Sequence, residues 1–289
     1  MQIVTDSGTD VGLSQGQLDE LGIYVVPLVV NLEGRSYREG LDIGPETFYP
    51  LLAEAKDLPS TSQPSAGDFA TAYRRIAACD PDILSIHMSS GLSGTYQAAL
   101  AGAKLVPEAT VTHVDTKTLS AGAGWQVKAA ARAAKAGWPK DRILALVEEI
   151  GAATESLYTL RELTYLIHGG RISHMKGLIA SLLNIKPLIG VEKANGTYVQ
   201  LGQARTFKRA LRKVTEHMAK QHAPGSPLQV QVLHSNNPQD AATLRQQIDR
   251  QYDCTWLPMG SISLVLGAHT GPSMVGVAYA PAAAFDSVP

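Results

Sequence analysis

Short apolar runs alternate with helix-forming stretches along the first half of the chain. Residues 2–5 read as a buried strand, followed by a polar turn and a helix over about 14–21. Residues 23–31 form a β-rich run in which Pro27 marks an edge or a bulge, because proline cannot donate to a strand ladder. Pro45 suits the first turn of a helix to about residue 56, with Glu46 at its positive end. Ser65 followed by Asp68 resembles a capping box for a helix through residue 78. Strands over 83–88 and 111–115 then alternate with helices over about 93–104, 121–135 and 139–150. Strands and helices of these lengths predict a mostly parallel sheet covered by helices, an α/β fold.

The second half is less regular. Helices are expected over 161–168, 175–183, 207–221 and 238–252, and strands over 228–234, 254–258 and 274–280. Residues 185–192 and 197–202 flank Asn195-Gly196, a strong hairpin signal. Crossovers plus a hairpin predict a second α/β domain with a mixed sheet. The expected boundary falls at Gly151–Thr154, giving domains 1–153 and 154–289.

Composition narrows the function classes. A chain of 289 residues with 45% hydrophobic and 18% charged residues is expected to fold around a sizeable core. Its net charge of −1 gives no overall pull toward polyanions, so no nucleic-acid partner is expected. The start lacks a basic segment followed by an apolar one, and no apolar run reaches the roughly 18 residues of a membrane span. A cytoplasmic location is therefore expected. Cys79 and Cys254 lie far apart and read as buried thiols in a reducing compartment. The average charge hides an asymmetry: the first 150 residues hold 12 basic and 18 acidic groups, the remainder 13 and 8. Positive charge gathers between Arg171 and Lys220, either as a solvated helix face or as a docking surface for an acidic partner.

Three hydroxyl-rich segments are expected where strands of the parallel sheet end: Thr5-Asp6-Ser7, Thr61-Ser62-Gln63-Pro64-Ser65, and Ser89-Ser90-Gly91-Leu92-Ser93-Gly94-Thr95. Strand ends of an open α/β sheet converge on one crevice, so these turns can meet. The last runs into a helix, where free N–H groups and the hydroxyls of Ser93 and Thr95 suit an anion; ordinary helix capping is the plainer reading of each turn alone. No P-loop, complete dinucleotide fingerprint or metal-ligand spacing is present, so no cofactor is expected. Hydroxyls and amides without a neighbouring Lys or Arg favour a carboxylate over a triphosphate. Gly267-Ala268-His269-Thr270-Gly271-Pro272 reads as a tight turn offering an imidazole and a hydroxyl.

Together with Gly169-Gly170-Arg171-Ile172-Ser173 and Leu182-Leu183-Asn184-Ile185-Lys186-Pro187, these motifs resemble the DegV family of bacterial fatty-acid-binding proteins, in order and over essentially the whole chain. The resemblance implies two α/β domains holding one long-chain fatty acid, such as palmitate, in a tunnel between them. It also implies that the carboxylate is presented to a separate fatty acid kinase, which makes acyl-phosphate for phospholipid synthesis. Carried over by position, Thr61 and Ser93 hold the carboxylate, with Ser62 and the Gly94 amide close by. His269 and Thr270 approach from the second domain, and Arg171 serves kinase docking. Leu92, Ile179, Leu182, Leu183, Ile189, Leu264 and Leu266 are candidates for the acyl-chain lining. The protein itself would be no enzyme, and any membrane contact transient. Ser273, where the family more often has glycine, and Gly8 after Ser7 are departures from its pattern. The competing reading is a serine hydrolase or acyltransferase using Ser93 and His269 with Asp6 or Asp115. A nucleophile elbow, however, needs glycine where Thr95 stands.

Overall fold

Four strands run parallel in the order β2-β1-β6-β7: β1 (Gln2–Asp6), β2 (Ile23–Val26), β6 (Asp82–His87) and β7 (Thr110–Asp115). The computed structural model describes residues 1–175 and 185–289, the His174 side chain excepted. Helices α1 (Gln15–Leu21), α2 (Pro45–Glu54), α3 (Ala66–Ala77), α4 (Thr95–Ala103), α5 (Ser120–Lys135) and α6 (Lys140–Ala153) intervene. The expected capping box of Ser65 with Asp68 forms, and Ser14 with Gln17 makes a second at the start of α1. Each box satisfies backbone N–H groups that helix geometry leaves free.

The run over 23–31 is two strands. Pro27 ends β2, and β3 (Val29–Leu32) leaves for a separate antiparallel sheet with β4 (Arg35–Arg38) and β5 (Ser60–Ser62). Thr61 and Ser62 thus lie on a strand paired with β3, not at the end of a parallel strand as the spacing predicts.

The second sheet is mixed, in the order β10-β9-β8-β14-β11-β12 with β13 beside β11. Its members are β8 (Glu155–Thr159), β9 (Lys186–Glu192), β10 (Thr197–Ala204), β11 (Pro227–His234), β12 (Asp253–Trp256), β13 (Gly260–Ser261) and β14 (Val275–Pro281). β8 escaped the sequence reading because it is short and follows α6 directly. The hairpin at Asn195-Gly196 forms, with β9 and β10 antiparallel. The helix expected over 161–168 shrinks to α7 (Thr164–His168), and α8 (Phe207–Met218) and α9 (Pro238–Asp249) pack on the mixed sheet. The expected tight turn at Gly267–Pro272 is mostly a helix, α10 (Leu264–Thr270), which starts at Ser263 and ends at Gly271 with φ 71°. The helix expected over 175–183 lies, Met175 apart, outside the described residues. Cys79 is exposed rather than buried, and no described helix is long and apolar enough to cross a membrane.

One apolar cluster joins both sheets, from Ile3 and Trp125 to Tyr158 and Leu233. Its centre is α5, which packs on β1 and β6 on one side and on β8 and β14 on the other. Two half-buried carboxylates tie the start of α10 to the first half of the chain. Asp10 accepts from Ser263 N at 2.7 Å and from Ser120 Oγ at 2.5 Å. Glu39 accepts from Ser7 Oγ at 2.7 Å, from Ser263 Oγ at 2.8 Å and from Leu264 N. Desolvation pushes both carboxyls up, Asp10 well above the usual carboxylate range; hydrogen bonds pull back, the charges of Glu39 and Asp6 raise Asp10 further, and that of Asp6 raises Glu39. A carboxyl raised in the folded state favours folding at low pH, and that contribution is lost as pH rises through its folded value. Asp10→Asn removes this loss. Its melting temperature relative to the parent is therefore expected to climb between about pH 4 and pH 7. A pH-independent gap in paired thermal melts would refute the assignment.

Candidate functional site

Thr61 from β5 meets His269 from α10: Oγ1 and Nε2 are 2.9 Å apart. Burial first, then the charge of Arg171 and His168, depresses the imidazole to about 4, so the ring is neutral at neutral pH. Its Nδ1 is buried and has no partner among the described residues. A buried N–H left unpaired costs about 1–3 kcal/mol, so the proton belongs on Nε2, where Thr61 accepts it. That choice leaves the Thr61 hydroxyl hydrogen free to donate elsewhere.

It has somewhere to donate. Thr61, Ser62, Gln63, Ser93, Arg171 and His269 line a cavity of about 240 Å³, closed on its apolar sides by Leu28, Met88, Leu92, Tyr198, Val265 and Leu266. No acidic side chain lines it among the described residues. Ser93 stands on the turn that follows β6; its Oγ accepts from Thr95 N at 3.3 Å and lies 2.8 Å from Thr95 Oγ1. The turn is braced from the mixed sheet, where Ser89 Oγ donates to Gly196 O at 2.8 Å. Gly91 packs so closely under this hairpin tip that a Cβ would lie 2.4 Å from Asn195 O.

The sequence candidates divide on this geometry. Thr61, Ser62, Ser93 and His269 come together in one cavity. Gly94 caps α4 and makes room for Gln63, whose Oε1 would sit 2.1 Å from a Cβ there. Thr270 does not share the cavity: its hydroxyl donates to Leu266 O at 2.9 Å and borders a second one. Arg171, read from sequence as a docking residue, is half-buried and lines the polar cavity, with Nη1 donating to Gly169 O at 2.7 Å. The cavity therefore holds a fixed cation that the hydroxyl turns alone do not suggest. Gln63 and Tyr198 were not singled out. Gln63 lies inside the hydroxyl-rich segment Thr61–Ser65, whereas nothing around Tyr198 marks it except the preceding Asn-Gly turn.

The second cavity is an apolar slot between α5 and the mixed sheet. Leu119, Ala121, Tyr158, Leu233, Met274 and Ala278 are among its walls, and Tyr198 and Leu266 are shared with the polar cavity. At about 50 Å³ it has room for about four water-sized groups as it stands. Of the expected chain-lining residues, Leu92 borders the polar cavity and Leu266 both. Leu264 instead borders the pocket around Asp10 and Glu39. Ile189 is fully buried and borders none of these three pockets, whereas Ile179, Leu182 and Leu183 lie outside the described residues.

The geometry does not assemble the hydrolase constellation. His269 bonds Thr61, Ser93 bonds Thr95, Asp6 is occupied by His87 at 2.9 Å, and Asp115 pairs with Lys117 at 2.9 Å.

Comparison with known proteins gives a consistent picture. The pattern of a family described as uncharacterised DegV proteins matches residues 1–282. A DegV domain-containing protein of Deinococcus radiodurans is 34% identical over 281 residues, covering 97% of this chain and 96% of the relative. The solved structure of a DegV family protein from Thermus thermophilus, described by its fatty acid binding, superposes with a TM-score of 0.86 at 31% identity, covering 97% and 99% of the two chains. DegV of Bacillus subtilis, a fatty acid binding protein, superposes with a TM-score of 0.86 at 27% identity over 96% and 98%. Matched along nearly its whole length in sequence and in fold, the chain belongs to the DegV family.

Proposed function

We propose that this protein binds one long-chain fatty acid between a first domain, residues 1–153, and a second, residues 154–289. The observation that carries the reading is a polar, acid-free cavity beside an apolar slot, the two sharing Tyr198 and Leu266 in their walls. The carboxylate occupies the polar cavity, accepting from Thr61 and Ser93 and facing Arg171, a charge-assisted arrangement. The acyl chain passes Leu266 into the slot, which it widens on entry. Burying about fifteen methylenes supplies about 12 kcal/mol before association costs, so the polar groups need only orient the acid.

The protein is in this reading a cytoplasmic carrier without turnover of its own. It presents the carboxylate to a separate fatty acid kinase, which phosphorylates it for phospholipid synthesis, and touches membranes only transiently. Arg171 and the basic residues beyond it contribute to kinase docking. Support comes from the family, whose solved members include fatty acid binding proteins, and from the lack of a paired Ser93–His269 couple.

Native mass spectrometry of gently purified protein is expected to show a co-purifying species of fatty-acid mass, or uptake of added palmitate. Thr61→Val removes the donor and strands the His269 N–H, so palmitate is expected to bind about tenfold more weakly. Ligand-free protein that takes up no palmitate would end the proposal. Covalent labelling of Ser93 by a fluorophosphonate would favour the hydrolase instead.

A further inference from the structure

His269 packs against Gly169, the residue that caps the C-terminal end of α7. Gly169 follows α7 and packs closely on the Nδ1 side of the imidazole: a Cβ there would stand 2.0 Å from His269 Nδ1, 2.7 Å from Cε1 and 3.2 Å from Cγ. The reciprocal contact is equally close, since a Cβ on Gly271 would lie 2.4 Å from the Tyr165 ring of α7. Two glycines thus let α7 and the end of α10 approach to a distance that no other residue allows. The Gly169 carbonyl accepts from Arg171 Nη1 at 2.7 Å, and no group among the described residues lies within hydrogen-bond reach of His269 Nδ1. Nδ1 is therefore walled off from water and left without a partner among the described residues.

We propose that Gly169 is a positioning residue that fixes the His269 tautomer, keeping the proton on Nε2 so that the Thr61 hydroxyl is free to donate to the bound carboxylate. The bare Cα excludes water and any acceptor from Nδ1, which stays a lone pair. Its carbonyl holds Arg171 beside the same cavity, so one residue aligns the neutral and the cationic partner. The groups with charge or titration facing the ring are Arg171 and His168, and both oppose its protonation. The role rests on the fatty-acid reading for its purpose, though not for its geometry.

Nitrogen-15 NMR of histidine-labelled full-length protein at neutral pH tests the tautomer directly. His269 is expected to show a protonated Nε2 and a bare Nδ1, with no protonation down to about pH 5. In Gly169→Ala the ring is pushed away and water reaches it. Its titration midpoint is expected to rise toward the free value of about 6.5, and palmitate affinity to fall at least tenfold. In a His269→Ala background the same glycine change is expected to cost no further affinity, since the ring it acts through is gone. A parent protein with the proton on Nδ1 overturns the proposal even if the variant does not fold. So does a Gly169→Ala protein with unchanged tautomer, titration and affinity. Failure of the parent to bind palmitate, with the tautomer as expected, would instead count against the functional reading.

Discussion

Replacing Asp6 with alanine is expected to remove about 3–5 kcal/mol of folding stability, a large share of the 5–15 kcal/mol typical of a native protein. Asp6 is fully buried at the end of β1, and three donors converge on it. Gly8 N donates to Oδ1 at 3.0 Å, while Met88 N at 3.1 Å and His87 Nδ1 at 2.9 Å reach Oδ2. The chain of bonds continues, with His87 Nε2 2.6 Å from Ser85 Oγ and that oxygen 2.7 Å from Tyr73 OH. His87 and Ser85 are fully buried, as is Tyr73. Alanine leaves all three donors without an acceptor in a dry interior, where each unmet group costs about 1–3 kcal/mol. Because Met88 leads into the turn that carries Ser93, palmitate binding is expected to weaken as well. Urea unfolding followed by tryptophan fluorescence measures the loss, and a change below about 1 kcal/mol would show that the network carries little of the fold.

How much of this was legible in the sequence depends on whether a signal is local. The parallel sheet and its caps were legible because period and capping chemistry are short-range: Ser65 and Asp68 announce α3 within four residues. The Asp6 network was half-legible. Ser85 and His87 alternate with apolar Leu84 and Ile86, which places both polar groups on one face of β6, but their partners come from β1 and α3. Pro27 was seen, yet its consequence, the transfer of the chain to a second sheet, is a tertiary event. Thr61 was named for its hydroxyl and assigned to the wrong kind of strand end, because β5 is three residues long and gains its identity by pairing with β3. The helix bearing His269 was hidden by Gly267 and Gly271, which read as turn formers. In the structure Gly267 admits the Tyr49 hydroxyl and Gly271 the Tyr165 ring. Arg171 is read as a docking residue from its charge, and the sequence does not show that its side chain also lines the cavity, because that is set by tertiary packing.

Ala278→Leu is expected to weaken palmitate binding about 60-fold while leaving the fold intact. The reason lies in the two faces of β14. Val275, Val277 and Tyr279 join the core beneath α8 and α9, whereas Gly276, Ala278 and Ala280 fall at the alternate positions. Small residues on that second face leave the slot open, and Gly276 and Ala278 both line it. Leucine adds three carbons to a space with room for about four water-sized groups, so it fills the slot with little overpacking. A bound acyl chain then forfeits about three buried methylenes at about 0.8 kcal/mol each, roughly 2.4 kcal/mol in all. A short acid such as hexanoate, whose tail ends before the slot, should lose much less, and Thr61→Val should weaken both acids alike. Titration calorimetry with the two acids separates these effects. Equal losses for hexanoate and palmitate in Ala278→Leu would mean that the tail runs elsewhere, and the slot behind Tyr198 would no longer explain the binding of a long chain.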